Sequence, residues 1–214
     1  MIVRWGLVLL FALASGAAAK ERSPAGEYRL VGEQDVASGL RLQPDGRFQY
    51  FLIAGALDEK AEGRWSATGR SIVLVTEPKP TPPTFRQAEP RRTDSAPLTI
   101  QVGSPEGRGI AGVDLRIGFD EGEPIDSYTQ EDGWSLPAEE RRIPRWIELA
   151  VPMHGLASPR FPIDLAAGNA LAFILIPNDL GVLDFDGVAV RVEKKALIVG
   201  RGGGRLRYER VGRK

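Results

Sequence analysis

The chain has 214 residues, with 28 basic and 28 acidic side chains, a formal net charge of zero and no cysteine. The absence of cysteine excludes disulfide scaffolds, thiol nucleophiles and thiolate metal sites. Stability must therefore come from burial of apolar surface, and the length allows one domain or two small ones.

Residues 1–19 have the three-part pattern of a secretory signal peptide. Arg4 lies in a short positive start, Gly6–Ala14 is an apolar run, and small residues lead to a cleavage site near Ala19. The apolar run is shorter than the roughly 20 residues of a membrane-spanning helix. We therefore expect an exported protein, periplasmic or secreted, without a membrane span.

Residues 20–76 are predicted to form an antiparallel meander of about five short strands. Apolar and polar residues alternate on both sides of Pro44-Asp45-Gly46, a turn in which proline presets φ and glycine accepts φ > 0. The strand that follows places Phe48, Tyr50 and Leu52 on one face. These side chains either fill the interior of a barrel or line a small apolar pocket inside it.

Three acids, Asp58, Glu59 and Glu62, interrupt this meander. Two carboxyl groups could act as a glycosidase pair if they were about 5–9 Å apart. Strand alternation instead turns Glu62 outward with its charged neighbours and Trp65 to the opposite face. The pattern therefore predicts no catalytic cluster, and Trp65 joins Phe48, Tyr50 and Leu52 as a candidate for lining a ligand pocket.

The middle of the chain is predicted to be a linker followed by a small sandwich. Residues 77–97 contain six prolines, which favour an extended linker or a long crossover. Residues 98–165 contain several short strands, with a turn and a strand predicted in Gly109–Ile117 and two strands around a turn predicted in Ser127–Pro137. The patterns "G-I-A-G-V-x-L-x-I" and "T-x-x-D-G-[aromatic]-x-L" in those two segments resemble the transthyretin-like β-sandwich called the carboxypeptidase regulatory-like domain. The resemblance implies a binding or spacer module without catalytic residues of its own.

Residues 166–214 are predicted to form a second meander. The apolar run Ala170–Ile176 indicates a strand buried on both faces, and alternation continues from Val188. The two meanders sum to about eight strands, the number whose closed barrel holds side chains or one small ligand. We predict an all-β protein, an up-and-down barrel made by both ends of the chain with the sandwich inserted; two tandem β domains are the alternative. The flanking segments also resemble lipocalin-like barrel strands.

Residues 188–214 carry nine basic and two acidic side chains, a net charge of +7. Such asymmetry indicates self-complementary packing or an anionic partner. Within the segment, Arg201-Gly202-Gly203-Gly204-Arg205 lacks the following helix of a phosphate loop, and we interpret it as a flexible hairpin with exposed arginines. The segment therefore predicts contact with an anionic surface such as lipid or acidic glycan, and no nucleic acid partner.

Candidate metal and catalytic residues are few. Asp184, Asp186 and Glu193 match three positions of the calcium-loop pattern, but Val182 stands at the first position and cannot ligate. An Asp-Gly turn that opens a strand is the competing interpretation. The single histidine, His154, has neither a serine elbow nor zinc-ligand partners around it, so a loop histidine is favoured.

These patterns together favour a non-enzymatic, exported binding or envelope-associated structural module, without a cofactor and with no catalytic residue assigned. Its partner would be an unknown envelope component. A lipocalin-like carrier of a small apolar ligand, using Phe48, Tyr50, Leu52 and Trp65, is the alternative, and a hydrolase with an unrecognised acid pair is the least favoured class.

Overall fold

The computed structural model describes residues 23–94 and 96–212, which form seventeen β-strands. The strands are β1 (Gly26–Val31), β2 (Val36–Leu42), β3 (Arg47–Ala54), β4 (Leu57–Thr68), β5 (Ser71–Thr76), β6 (Thr84–Gln87), β7 (Thr99–Gly103), β8 (Asp114–Phe119), β9 (Ile125–Tyr128), β10 (Trp134–Ser135), β11 (Pro144–Val151), β12 (Leu156–Ala157), β13 (Phe161–Pro162), β14 (Ala170–Ile176), β15 (Asp186–Glu193), β16 (Ala196–Arg201) and β17 (Gly204–Arg210). The predicted signal peptide lies outside the described residues. Within the two described ranges, no helix has the length and apolarity needed to cross a membrane.

Eight strands close into an antiparallel barrel in the order β1-β17-β16-β15-β5-β4-β3-β2. Five of them precede the insertion and three follow it; β15 pairs with β5, and β17 pairs with β1. Closure leaves no unpaired strand edge in this sheet. The prediction of a barrel made by both ends of the chain is therefore confirmed, and the alternative of two tandem domains is wrong.

The barrel core follows from the period-two pattern of the sequence. In β3 the residues Phe48, Tyr50 and Leu52 are buried while their neighbours are mostly exposed. The turn before β3 has the predicted chemistry, because Gly46 has φ +86° and donates its N–H to the Gln43 carbonyl at 3.1 Å. Each large apolar side chain buried in this way contributes about 1.5–3 kcal/mol.

The insertion between β5 and β15 consists of two packed sheets. One has the order β10-β7-β14-β6, and the other has the order β12-β11-β8-β9 with β13 paired to β11. Leu98, Ile117, Ile147 and Phe173 are among the residues of its shared core. We refer to this part of the chain as the insert, and its two layers agree with the small inserted sheets expected from the sequence.

Two strands of the insert come from segments with a different prediction. Ala170–Ile176 is a strand, β14, but it pairs with β7 and β6 and not with any barrel strand. The segment predicted as a linker contains β6, which lies at the edge of its sheet, where flanking prolines are tolerated. Apolar patterning shows that a strand is buried but does not show which sheet buries it, and this is why β14 was assigned to the barrel.

Candidate functional sites

The ligand-lining residues predicted from sequence lie in the barrel core. Phe185 lies in the segment before β15. The centroid of its ring is 5.8 Å from that of Phe48 and 5.2 Å from that of Tyr50. Tyr208 of β17 lies 6.5 Å from Tyr50. Leu52 is buried in the same cluster. These rings pack against one another, and Phe185, which the sequence analysis did not single out as an aromatic core residue, is central to the packing.

Trp65 lies at the edge of this core. Its ring is half-buried, and its Nε1–H donates to the Gln43 carbonyl at 2.9 Å, beside the turn between β2 and β3. Its backbone N–H donates to the Gly46 carbonyl at 2.8 Å. The structure thus brings Phe48, Tyr50 and Leu52 together and places Trp65 where it fixes a turn.

The barrel also contains a buried ion pair that the sequence analysis missed. Glu59 is buried like Ala61 and Gly63 of the same strand, β4, and its side chain is only 8% exposed. Its carboxylate pairs with the guanidinium of Arg201, which donates to the Tyr50 hydroxyl at 3.2 Å. Burial alone lowers the pKa of Arg201, but Glu59 and Tyr50 together raise it above its usual value.

Two side chains, Arg201 and Glu59, are oriented differently from the expectation based on sequence. Arg201 was expected to be an exposed hairpin arginine, but it turns into the barrel wall and only a third of its side chain is exposed. Glu59 was grouped with the exposed acids Asp58 and Glu62. Glu59 is two residues from Ala61, so strand alternation places both side chains on the inward face of β4. Its partner Arg201 lies far away in sequence.

A second polar contact crosses the barrel interior. Tyr208 and Ser38 share a hydrogen bond between their hydroxyl oxygens at 2.9 Å, and Ser38 donates to the Phe51 carbonyl at 2.5 Å. Burial raises the pKa of the Tyr208 hydroxyl, so this group stays protonated at neutral pH. The interior is therefore apolar with a few polar groups held by specific partners.

The segments 77–83 and 177–185 connect the barrel to the insert, and a cleft lies between them. Asp179 accepts a hydrogen bond from the Thr81 N–H at 2.8 Å, which joins the two segments. The backbone N–H of Lys60 in β4 donates to the Gly181 carbonyl at 2.9 Å, and the Lys60 carbonyl accepts from the Leu183 N–H at 2.8 Å. The cleft has a volume of about 250 Å³, and we call it the junction cleft. Its lining consists of Glu59, Lys79, Pro80, Thr81, Pro82, Pro83, His154 and residues 179–184.

The predicted cation ligands do not meet. The ammonium of Lys79 lies 3.4 Å from Asp184 and 4.0 Å from Asp186. Glu193 lies at the other end of β15, roughly 23 Å from Asp186 by strand rise, and pairs with arginines. In the described part of the chain, no group of three or more His, Asp or Glu side chains is arranged to hold a metal ion.

A groove lined by several basic side chains lies at the end of the barrel farthest from the insert. It has a volume of about 780 Å³ and is formed by the β4–β5 turn, the β15–β16 turn and the neighbouring strands. The Val192 N–H donates to the Arg70 carbonyl at 2.9 Å and joins the two turns. We call it the basic groove; its lining is Arg70, Arg191, Val192, Glu193, Lys194, Lys195 and Arg207.

Only part of the positive charge in the basic groove is neutralised. Glu193 pairs with Arg191 at 3.1 Å and with Arg207 at 3.4 Å. Arg70, Lys194 and Lys195 form no ion pair with a residue that the structure describes. Arg70 was not part of the basic segment recognised in the sequence, because only the fold brings the β4–β5 turn beside it.

No protein family, curated protein or solved structure matches this chain. The function must therefore be inferred from the geometry of these sites.

Proposed function

We propose that this protein is an exported, non-enzymatic module associated with the cell envelope, and that it contacts an anionic lipid surface through the basic groove. The observation that carries the proposal is a cluster of three cations on two neighbouring turns, Arg70, Lys194 and Lys195, that have no ionic partner among the residues described by the structure. Unpaired cations on one surface attract anionic partners over roughly a Debye length, about 10 Å at 0.1 M salt.

The position of these cations favours a broad surface over a small ligand. β5 leads away from Arg70 toward the insert, and β15 returns from the insert to end just before Lys194. Both turns therefore project at the same end of the barrel, and one flat partner can reach both. Each lysine or arginine near an anionic membrane contributes about 1 kcal/mol, so three contribute about 3 kcal/mol, on the order of 150-fold in binding.

Two sequence features support the rest of the proposal. The signal-peptide pattern of residues 1–19 supports export. The resemblance of residues 98–165 to the carboxypeptidase regulatory-like domain supports a spacer or binding role for the insert. The alternative of a lipocalin-like carrier remains a prediction with no observation in its favour, because Phe48 and Tyr50 pack against Phe185 in the core.

Vesicle co-sedimentation tests the proposal. The probes are vesicles of phosphatidylglycerol mixed with phosphatidylcholine, and vesicles of phosphatidylcholine alone. One variant replaces Arg70, Lys194 and Lys195 by glutamine. The matched control replaces three exposed arginines of the insert by glutamine, with the same change in net charge: Arg86, Arg108 and Arg145.

We expect the wild-type protein to bind the anionic vesicles only and to lose this binding at high salt. The affinity of the groove variant should be about 150-fold lower, and that of the control variant should be unchanged. An equal loss in both variants would show that net charge and not the groove is responsible. Binding to an acidic polysaccharide such as hyaluronate, without binding to vesicles, would replace the lipid surface by a glycan and overturn the proposal.

A further inference from the structure

We infer that the basic groove recognises a lipid headgroup with two phosphate groups, which rests on the proposed contact with an anionic lipid surface. The lining of the groove carries five basic side chains and one carboxylate, a net charge of +4. The headgroup of phosphatidylglycerol carries a single negative charge, so one such lipid leaves most of the groove charge without a partner. A headgroup with two phosphates brings two anionic groups to the groove on one molecule.

The two turns of the groove present cations at separate points. The strand order β16-β15-β5-β4 places the β4–β5 hairpin directly beside the β15–β16 hairpin. Neighbouring strands lie about 4.8 Å apart, so the midlines of the two hairpins are about 10 Å apart. Arg70 lies on the first turn, and Lys194 and Lys195 lie on the second. A single phosphate group is smaller than this separation, whereas two phosphates on a short linker can place one at each turn.

Hydrogen bonds and ion pairs of the fold hold this arrangement in place. The Val192 N–H donates to the Arg70 carbonyl at 2.9 Å and fixes the first turn to β15. Glu193 contacts Arg191 at 3.1 Å and Arg207 at 3.4 Å, which keeps both guanidinium groups beside the turns. Because the backbone that carries the cations is ordered before binding, a matching ligand pays little for ordering the protein.

Lys194 has a backbone conformation that favours glycine. Its φ is +47°, and it is the first residue of the two-residue turn between Glu193 and Ala196. The β4–β5 turn has the same length, and its first position is Gly69, with φ +57°. A side chain in the left-handed region is strained, whereas glycine is not. The ammonium of Lys194 therefore occupies a position where glycine would suit the fold better, which indicates a role in binding.

A lipid with both phosphates on one headgroup has an advantage over two separate lipids of equal total charge. Once one phosphate contacts one turn, the linker holds the other phosphate near the second turn at a high effective concentration. Two singly charged lipids must be gathered and ordered separately. General attraction to an anionic surface depends on its charge density and not on how the phosphates are joined. We therefore expect a preference at equal surface charge.

Co-sedimentation with cardiolipin vesicles tests the inference. Cardiolipin carries two phosphates joined by a glycerol, and it is mixed with phosphatidylcholine to the same charge density as the phosphatidylglycerol vesicles. Lys194→Gly removes the ammonium and relieves the turn. Lys60→Gln is the matched control, because Lys60 is exposed on β4 and lies outside the groove lining. Thermal unfolding of each variant reports on the fold, and calorimetric titration with fructose 1,6-bisphosphate separates a lipid from a free bisphosphate.

We expect the wild-type protein to bind the cardiolipin vesicles at least about tenfold more tightly than the phosphatidylglycerol vesicles. Lys194→Gly should lose most of this preference, and its Tm should equal or exceed that of the wild type. Lys60→Gln should keep the preference. Fructose 1,6-bisphosphate should bind at least about tenfold more weakly than the cardiolipin vesicles, because it lacks the attraction of the charged surface.

Equal binding of the two anionic vesicles by the wild-type protein would overturn the inference and leave the proposed function standing. A preference that persists in Lys194→Gly would show that the bilayer and not the groove causes it, and a lower Tm of this variant would show that the lysine serves the fold. Either result overturns the inference, as does a free bisphosphate that binds as tightly as cardiolipin vesicles. Absence of binding to both anionic vesicles would overturn the proposed function as well.

Discussion

Removal of Arg201 should destabilise the barrel by leaving the Glu59 carboxylate buried without a cation. Breaking a buried ion pair by removing one partner costs about 3–5 kcal/mol. A third of the Arg201 side chain is exposed, so water can partly replace it, and we expect about 3 kcal/mol for Arg201→Met. In a chain of this size that corresponds to a fall in Tm of about 6–12 °C.

The double variant Glu59→Met/Arg201→Met separates the buried charge from loss of packing. Replacing a whole buried pair by apolar residues is often neutral, so the double variant should recover most of the stability lost in Arg201→Met. The free energy of unfolding is measured by urea titration followed by circular dichroism. A cost below about 1 kcal/mol for Arg201→Met, or a double variant no more stable than the single one, would refute the reasoning.

Three further changes test other parts of the structure by the same unfolding measurement. Gly63→Ala should lower the free energy of unfolding by about 1–3 kcal/mol, because the added Cβ meets the backbone of β5. At Gly200 the added Cβ points into open space, so Gly200→Ala should cost less than about 1 kcal/mol. Glu140→Gln should lower the free energy of unfolding at neutral pH. Arg142 lowers the pKa of Glu140 from 4.5 to about 2, so the difference in unfolding free energy between variant and wild type is complete above pH 4.5 and disappears as the pH falls to about 2. Tyr208→Phe should cost about 1 kcal/mol at pH 7 through its lost hydrogen bond. Because burial raises the pKa of Tyr208, the wild-type protein should lose stability above pH 10, and the variant should not show that part of the loss.

The two ends of the barrel differ in the segments that border them. The chain leaves the barrel after β5 and re-enters it before β15, and the second connecting segment forms backbone hydrogen bonds with Lys60 at the edge of β4. The β4–β5 and β15–β16 turns lie at the far end, and the second of them carries Lys194 and Lys195. Insertion of a second unit into a barrel thus gives its two ends different surroundings, the connecting segments at one end and the basic groove at the other.

The sequence by itself determined the local structure of the barrel. Period-two alternation predicted the orientation of Phe48, Tyr50 and Leu52, and the Pro44-Asp45-Gly46 pattern predicted the turn before them. A barrel of about eight strands from both ends of the chain also followed from the pattern, but the assignment of Ala170–Ile176 to that barrel did not hold. These features depend on residues close together in the chain, whose φ and ψ preferences and face alternation act without knowledge of the partner strand.

Only the tertiary structure decided which strands and side chains meet. β14 has the apolar run of any buried strand, but its pairing with β7 places it in the insert. Alternation could turn Glu59 inward, yet its partner Arg201 becomes visible only when β16 closes the barrel wall. Arg70 joins Lys194 for the same reason. Strand pairing and register are set by the complementarity of distant surfaces, and periodicity within one segment carries no information about them.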